Sequence, residues 1–125
     1  MKSKYILKTC HENDISENEL YEAYKIFFGT LVSEPRLKII NLLREKKANV
    51  SEIMDELKMD QTSVSHNLSR LSRCGFVEFE IKGKFRYYKL NEKTIKPLMS
   101  LIDNHMLKNC VHILHGMKGG GYNGK

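Results

Sequence analysis

Between Gln61 and Arg73 the chain reads Gln-Thr-Ser-Val-Ser-His-Asn-Leu-Ser-Arg-Leu-Ser-Arg, dense in hydroxyl, amide, imidazole and guanidinium groups and without a carboxylate. At the 3.6-residue period of a helix, Leu68 and Leu71 fall within about 40° of Val64. Thr62, Ser63, His66, Ser69, Arg70 and Arg73 fall on the opposite side, with Ser65 at its edge and Gln61 at its start. Short polar side chains and cations of this kind hydrogen-bond to base edges and phosphates, and acidic groups among them would repel a nucleic-acid backbone. A merely solvated face carries Glu and Lys instead, as residues 52–58 of this chain do. Lys82-Gly83-Lys84, with Arg86 behind it, adds cations on a turn that can lie along phosphates beside the minor groove.

A second chemistry sits near the C-terminal end. Of five histidines, His105, His112 and His115 share that stretch. His105 and His112 are a heptad apart and nearly superposed on a helical wheel, with His115 about 60° further round. Imidazoles on one stripe can bind Zn, Ni, Co or Cu. Cys10-His11 and Cys110 offer an alternative thiol site, for a soft metal or as a redox pair. No Gly-rich phosphate loop, nucleophile motif or paired carboxylates point to catalysis, so the chain is not expected to be an enzyme.

These side chains need elements to hold them. Ser16-Glu17-Asn18-Glu19 is a capping box, and Leu20, Tyr24, Phe27, Phe28 and Leu31 recur behind it at helical spacing, predicting a first helix to about Leu31. Ser33-Glu34-Pro35 starts a second helix, with Leu37, Ile40 and Leu43 inward, and Asn49-Val50-Ser51-Glu52 a short third with Ile53, Met54 and Leu57 inward. Asp60 caps the fourth, which carries the polar face of residues 61–73, and Gly75 stops it. From Phe76 the period changes to two, and Lys82-Gly83-Lys84 joins two strands of a hairpin. Asn91 then opens a last helix through Pro97 to about His115. The spacing predicts a mainly α fold with one β-hairpin, four helices, a hairpin and a helix, which is a winged helix-turn-helix. Ile95, Ile102, Met106 and Ile113, with Met99 and Cys110 beside them, lie on one stripe of about 80° and predict a homodimer seam.

Length and charge agree with a protein of this kind. The 125 residues suit one domain over 16–115, with an N-terminal arm over 1–15 and a Gly-rich tail over 116–125. The formal charge is +6, and it is uneven: residues 1–60 carry net −1, residues 61–90 net +4, and residues 91–125 net +3. A basic second half faces a polyanion. No apolar run is long enough for a spanning helix, the first residues lack the apolar core of a signal peptide, and three scattered cysteines suit a reducing compartment. The cytoplasm is the expected location, without a membrane partner.

Gln61-Thr62-Ser63-Val64-Ser65-His66-Asn67-Leu68-Ser69-Arg70-Leu71, then Cys74-Gly75-Phe76-Val77 and the hairpin to Tyr87-Tyr88-Lys89-Leu90, resembles the ArsR/SmtB family of repressors. The resemblance spans about residues 20–115 and includes the Ser-x-x-Arg-Leu-Lys-Ile-Ile run of residues 33–40. It implies a homodimer built on the first and last helices that binds double-stranded operator DNA and leaves it when an inducer binds. Gln61, Thr62, Ser65 and His66 match the family's DNA-touching positions. Asp103-x-His105 and His112-x-x-His115 resemble the family's site for a divalent transition metal such as Zn, one pair from each chain, across a shorter gap than the family's. The family's thiolate site falls on Val50-Ser51-Glu52-Ile53, which holds no cysteine. The implied function is a metal-released transcriptional repressor. The alternatives are a metal-independent regulator under thiol or partner control, and a winged helix used only for protein contact.

Overall fold

The computed structural model describes residue 12 and residues 14–118. In chain order the elements are α1 (Glu17–Leu31), α2 (Glu34–Glu45), α3 (Val50–Leu57), α4 (Gln61–Arg73), β1 (Val77–Lys82), β2 (Phe85–Leu90), α5 (Ile95–Asn109) and α6 (Val111–Lys118). Among the described residues this is a mainly helical fold with one antiparallel hairpin, as the sequence predicts, except that the last helix is two. Most of the N-terminal arm and most of the tail lie outside the described residues.

Local chemistry starts each early helix. Ser16 and Glu19 exchange bonds of 3.1 and 2.9 Å at α1. Asn49 and Glu52 do the same at α3, both at 2.9 Å. Asp60 Oδ1 accepts from the Ser63 amide at 2.7 Å to open α4. Each side chain satisfies an amide that the helix itself leaves unpaired. α4 ends in a paired closure at Gly75 (φ +76°), with Gly75 N donating to Ser72 O at 3.1 Å and Phe76 N to Leu71 O at 2.9 Å. Between α3 and α4, Lys58 takes a left-handed φ of +55° to make the helix-turn-helix corner.

The described residues form two compact units, up to residue 89 and from residue 90. In the first, Ile39, Ile40, Ile53, Val64, Leu68, Leu71 and Phe76 are fully buried and clamp α2, α3 and α4 together. The hairpin is tied to this core by a strand-like bridge, Ala48 N to Tyr88 O at 3.0 Å and Tyr88 N to Ala48 O at 2.8 Å. That bridge gives the two-stranded ribbon the support that it lacks alone. On α1, Phe27 stacks on buried Phe76 at 5.2 Å, while Tyr24 and Phe28 stay exposed and Thr30 is wholly buried.

In the second unit, Asn91 does not cap the helix. Its Oδ1 accepts from the amides of Lys93 and Thr94 and holds the turn before α5. Ile95 and Met99 are buried in the single chain, so they leave the predicted seam. Leu101, Met106, Leu107, Ile113 and Leu114 are exposed instead. The continuous helix expected to His115 breaks at Cys110, whose amide closes α5 on Met106 O at 2.8 Å while its carbonyl accepts from Ile113 and Leu114. One residue earlier, Asn109 Nδ2 donates to the His105 carbonyl at 3.1 Å, a side chain competing for an acceptor of the helix backbone.

Candidate nucleic-acid interface

Burying Val64, Asn67, Leu68 and Leu71 fixes which side of α4 faces out. Gln61, Thr62, Ser65, His66, Ser69 and Arg73 are exposed there. Past its cap, α4 carries no acidic residue. Ser63 is half-buried, with its carbonyl accepting from Asn67 Nδ2 at 2.8 Å. Arg70 departs from the expected placement. It is half-buried, and its Nε donates to Thr30 Oγ1 at 3.1 Å, because the end of α1 comes to that flank of α4.

The hairpin turns on Gly83 and Lys84, with φ +64° at Gly83. A positive φ at the first turn position matches the right-handed twist of the strands, and glycine adopts it without strain. Lys82, Lys84 and Arg86 are all exposed at or near this tip. Arg86 lies 4.6 Å over the Phe79 ring, Lys84 5.9 Å from Phe85 and Lys82 6.0 Å from Tyr87, so aromatic faces steady the cations. Glu80 is paired with Lys47 at 3.0 Å and Lys82 at 3.8 Å. The Lys47 hydrogen bond holds the Glu80 carboxyl below its ordinary range. Part of the charge on Lys82 is thereby answered within the chain.

These two elements share one groove of about 580 Å³. Ser65, Ser69 and Arg73 of α4, Lys84 and Arg86 of the hairpin and Ser51 of α3 all line it. The sequence reading finds the cations and the hydroxyls of α4 but misses Ser51 and Ser72, which also line it. Ser51 carries only a weak signal, a hydroxyl in the first turn of the helix preceding α4.

The proposed metal donors are distributed otherwise. Asp103 and His105 are on α5 and His112 and His115 on α6, past the break. Among the described residues no three His, Cys, Asp or Glu side chains converge as a metal site within the chain. Of the alternative thiol site, Cys110 is exposed at the α5–α6 junction, and Cys10 and His11 lie outside the described residues.

Comparison with known proteins bears on the family and the fold. The family profile described as bacterial regulatory protein, arsR family, matches residues 33–78, from Ser33 through α4 into β1. An uncharacterized HTH-type transcriptional regulator of Methanocaldococcus jannaschii is 33% identical over 86 residues, which are 68% of this chain and 97% of that protein. The chain belongs to the ArsR family. The arsenical resistance operon repressor of Bacillus subtilis is 28% identical over 70% of this ArsR-family chain and 84% of its own. Among solved structures, the homodimeric winged helix-turn-helix DNA-binding domain of a possible ArsR-family regulator from Mycobacterium bovis superposes with TM-score 0.70 at 25% identity, covering 77% of this chain and 89% of that one. This chain is therefore a winged-helix transcriptional regulator by family. Among its described residues, no helix is long and apolar enough to cross a membrane.

Proposed function

We propose that this ArsR-family protein is a sequence-specific transcriptional repressor that binds double-stranded operator DNA as a homodimer. The observation that carries the reading is the groove, where the carboxylate-free face of α4 and the ring-supported cations of the hairpin meet. Gln61, Thr62, Ser65 and His66 meet base edges in the major groove, while Arg73, Lys84 and Arg86 meet phosphates. One such helix covers few base pairs. Two copies about a twofold axis reach successive major grooves about 34 Å apart, which favours a homodimer on a palindromic site. The exposed aromatic side of α1 and the exposed Leu101, Met106 and Leu107 of α5 supply apolar surface for the pairing.

Release follows by linkage, since a signal that prefers a dimer shape with misplaced α4 helices weakens DNA binding by the same coupling, typically about 1–3 kcal/mol. We read that signal as a divalent transition metal shared by two chains, Asp103 and His105 of one with His112 and His115 of the other. Its support is the Asp-x-His and His-x-x-His spacing. Among the described residues the donors of one chain do not converge on a common point, so an ion held by them would need both protomers. Zn(II) titration of the chelator-stripped protein tests this reading, and equal uptake by wild type, His105→Ala and His112→Ala removes it.

The DNA reading is tested by fluorescence anisotropy on duplexes across a salt series. Wild type is expected to show a steep loss of affinity with salt, and Lys84→Ala and Arg86→Ala each a slope shallower by about 0.9. A salt-insensitive wild type, or variants with unchanged slopes, contradicts it.

A further inference from the structure

Arg36, in the first turn of α2, is claimed by neither the apolar core nor the groove. Its half-buried guanidinium sits where three elements meet. Nε donates to the Thr30 carbonyl at 2.7 Å and Nη2 to the Gly29 carbonyl at 3.3 Å, both in the last turn of α1, where carbonyls lack an intrahelical partner. Nη1 donates to Asn67 Oδ1 at 3.2 Å, on the buried side of α4. Asn67 in turn gives its Nδ2 to the Ser63 carbonyl, so its amide is oriented by the backbone of α4 itself. A second strut lies one turn along, where Arg70 Nε donates to Thr30 Oγ1. That hydroxyl spends its own proton on the Ile26 carbonyl at 2.7 Å. The same turn of α1 thus holds α4 at two points.

We propose that Arg36, acting through Asn67, is a positioning residue for DNA recognition. It sets the roll of α4 against the end of α1, and so decides which bases the outer face can meet, without touching DNA. The proposal rests on the DNA-binding reading above. A small roll of α4 breaks base hydrogen bonds, which need close geometry, and leaves the attraction of phosphates nearly unchanged. A planar guanidinium can serve two acceptors on one helix and one on another at once, which an ammonium on a flexible stem cannot.

The full-length protein first selects duplexes from a randomised library. The recovered duplex serves as the specific probe and poly(dI-dC) as the non-specific one. Arg36→Gln is expected to lose about tenfold on the selected duplex. On poly(dI-dC) it should stay within about twofold of wild type, with an unchanged salt slope. Asn67→Ala should lose less, and the double variant less than the sum of the two, since both changes remove the Arg36–Asn67 bond. Arg36→Lys should fall between wild type and Arg36→Gln. Where circular dichroism shows Arg36→Gln misfolded, Arg36→Lys and Asn67→Ala carry the test. Equal losses on both probes with a shallower slope would make Arg36 a phosphate contact and overturn the proposal. Wild-type behaviour of Arg36→Gln, or additive losses in the double variant, would overturn it as well. A wild type that recovers no duplex overturns the DNA reading itself, and this is seen before any variant is made.

Discussion

α4 and α5 are of similar length, yet they are used differently. α4 buries Val64, Asn67, Leu68 and Leu71 and turns a polar, carboxylate-free face outward, so both of its sides are satisfied within one chain. α5 buries only Ile95 and Met99 and leaves Leu101, Met106 and Leu107 to solvent. Apolar side chains exposed along a helix cost solvation free energy that a partner surface would recover. A helix complete in the monomer can present chemistry to a ligand. A helix incomplete in the monomer is better suited to assembly.

The largest expected effect tests the first half of that contrast. Leu68→Ala should destabilise the protein by about 2–5 kcal/mol in urea unfolding, because Leu68 is fully enclosed. Leu107→Ala, at 71% exposure, should change the stability of dilute monomer by less than about 0.5 kcal/mol. A comparable loss for Leu107→Ala would mean that α5 is covered in solution. Within α4, Arg73→Ala should weaken binding about equally across duplex sequences and reduce the salt slope by about 1. Arg70→Ala should instead act mainly through stability, because its guanidinium is bonded to Thr30. Equal salt slopes for the two variants would erase that distinction.

A smaller effect concerns the corner that sets α4 against α3. Lys58 occupies a left-handed φ that costs a non-glycine residue roughly 1 kcal/mol, so Lys58→Gly should raise the urea midpoint with duplex contacts unchanged. The smallest lies on the hairpin. Glu80 is held below its usual range by Lys47, so this pair contributes above the ordinary carboxylate pKa, and the contribution fades as pH falls through the depressed value. Lys47→Ala should return Glu80 upward in a carboxyl NMR titration. An unmoved Glu80 would transfer the effect to Lys82, its other partner at 3.8 Å.

Much of this was legible beforehand, for reasons that differ by element. Caps are local, so Ser16, Asn49 and Asp60 announce their helices from a few residues of sequence. The period-two run after Phe76 and the Gly83 turn are equally local. The outer face of α4 was readable because a strict apolar stripe leaves one exposed side. Arg70 was misplaced because a wheel ranks directions without knowing that the end of α1 comes to that flank. The break of the last helix at Cys110 has a local correlate instead, the Asn109 side chain on the His105 carbonyl, which helical periodicity does not register.

Composition and periodicity alone determined the order of elements, the segregation of charge and the polar side of α4, since each depends on residues near in sequence. Tertiary structure decided which cations remain available and which become struts. It also brought Ser51 of α3 to the groove that Arg73 and Arg86 line. Those outcomes depend on contacts between segments distant along the chain, and only packing selects such contacts.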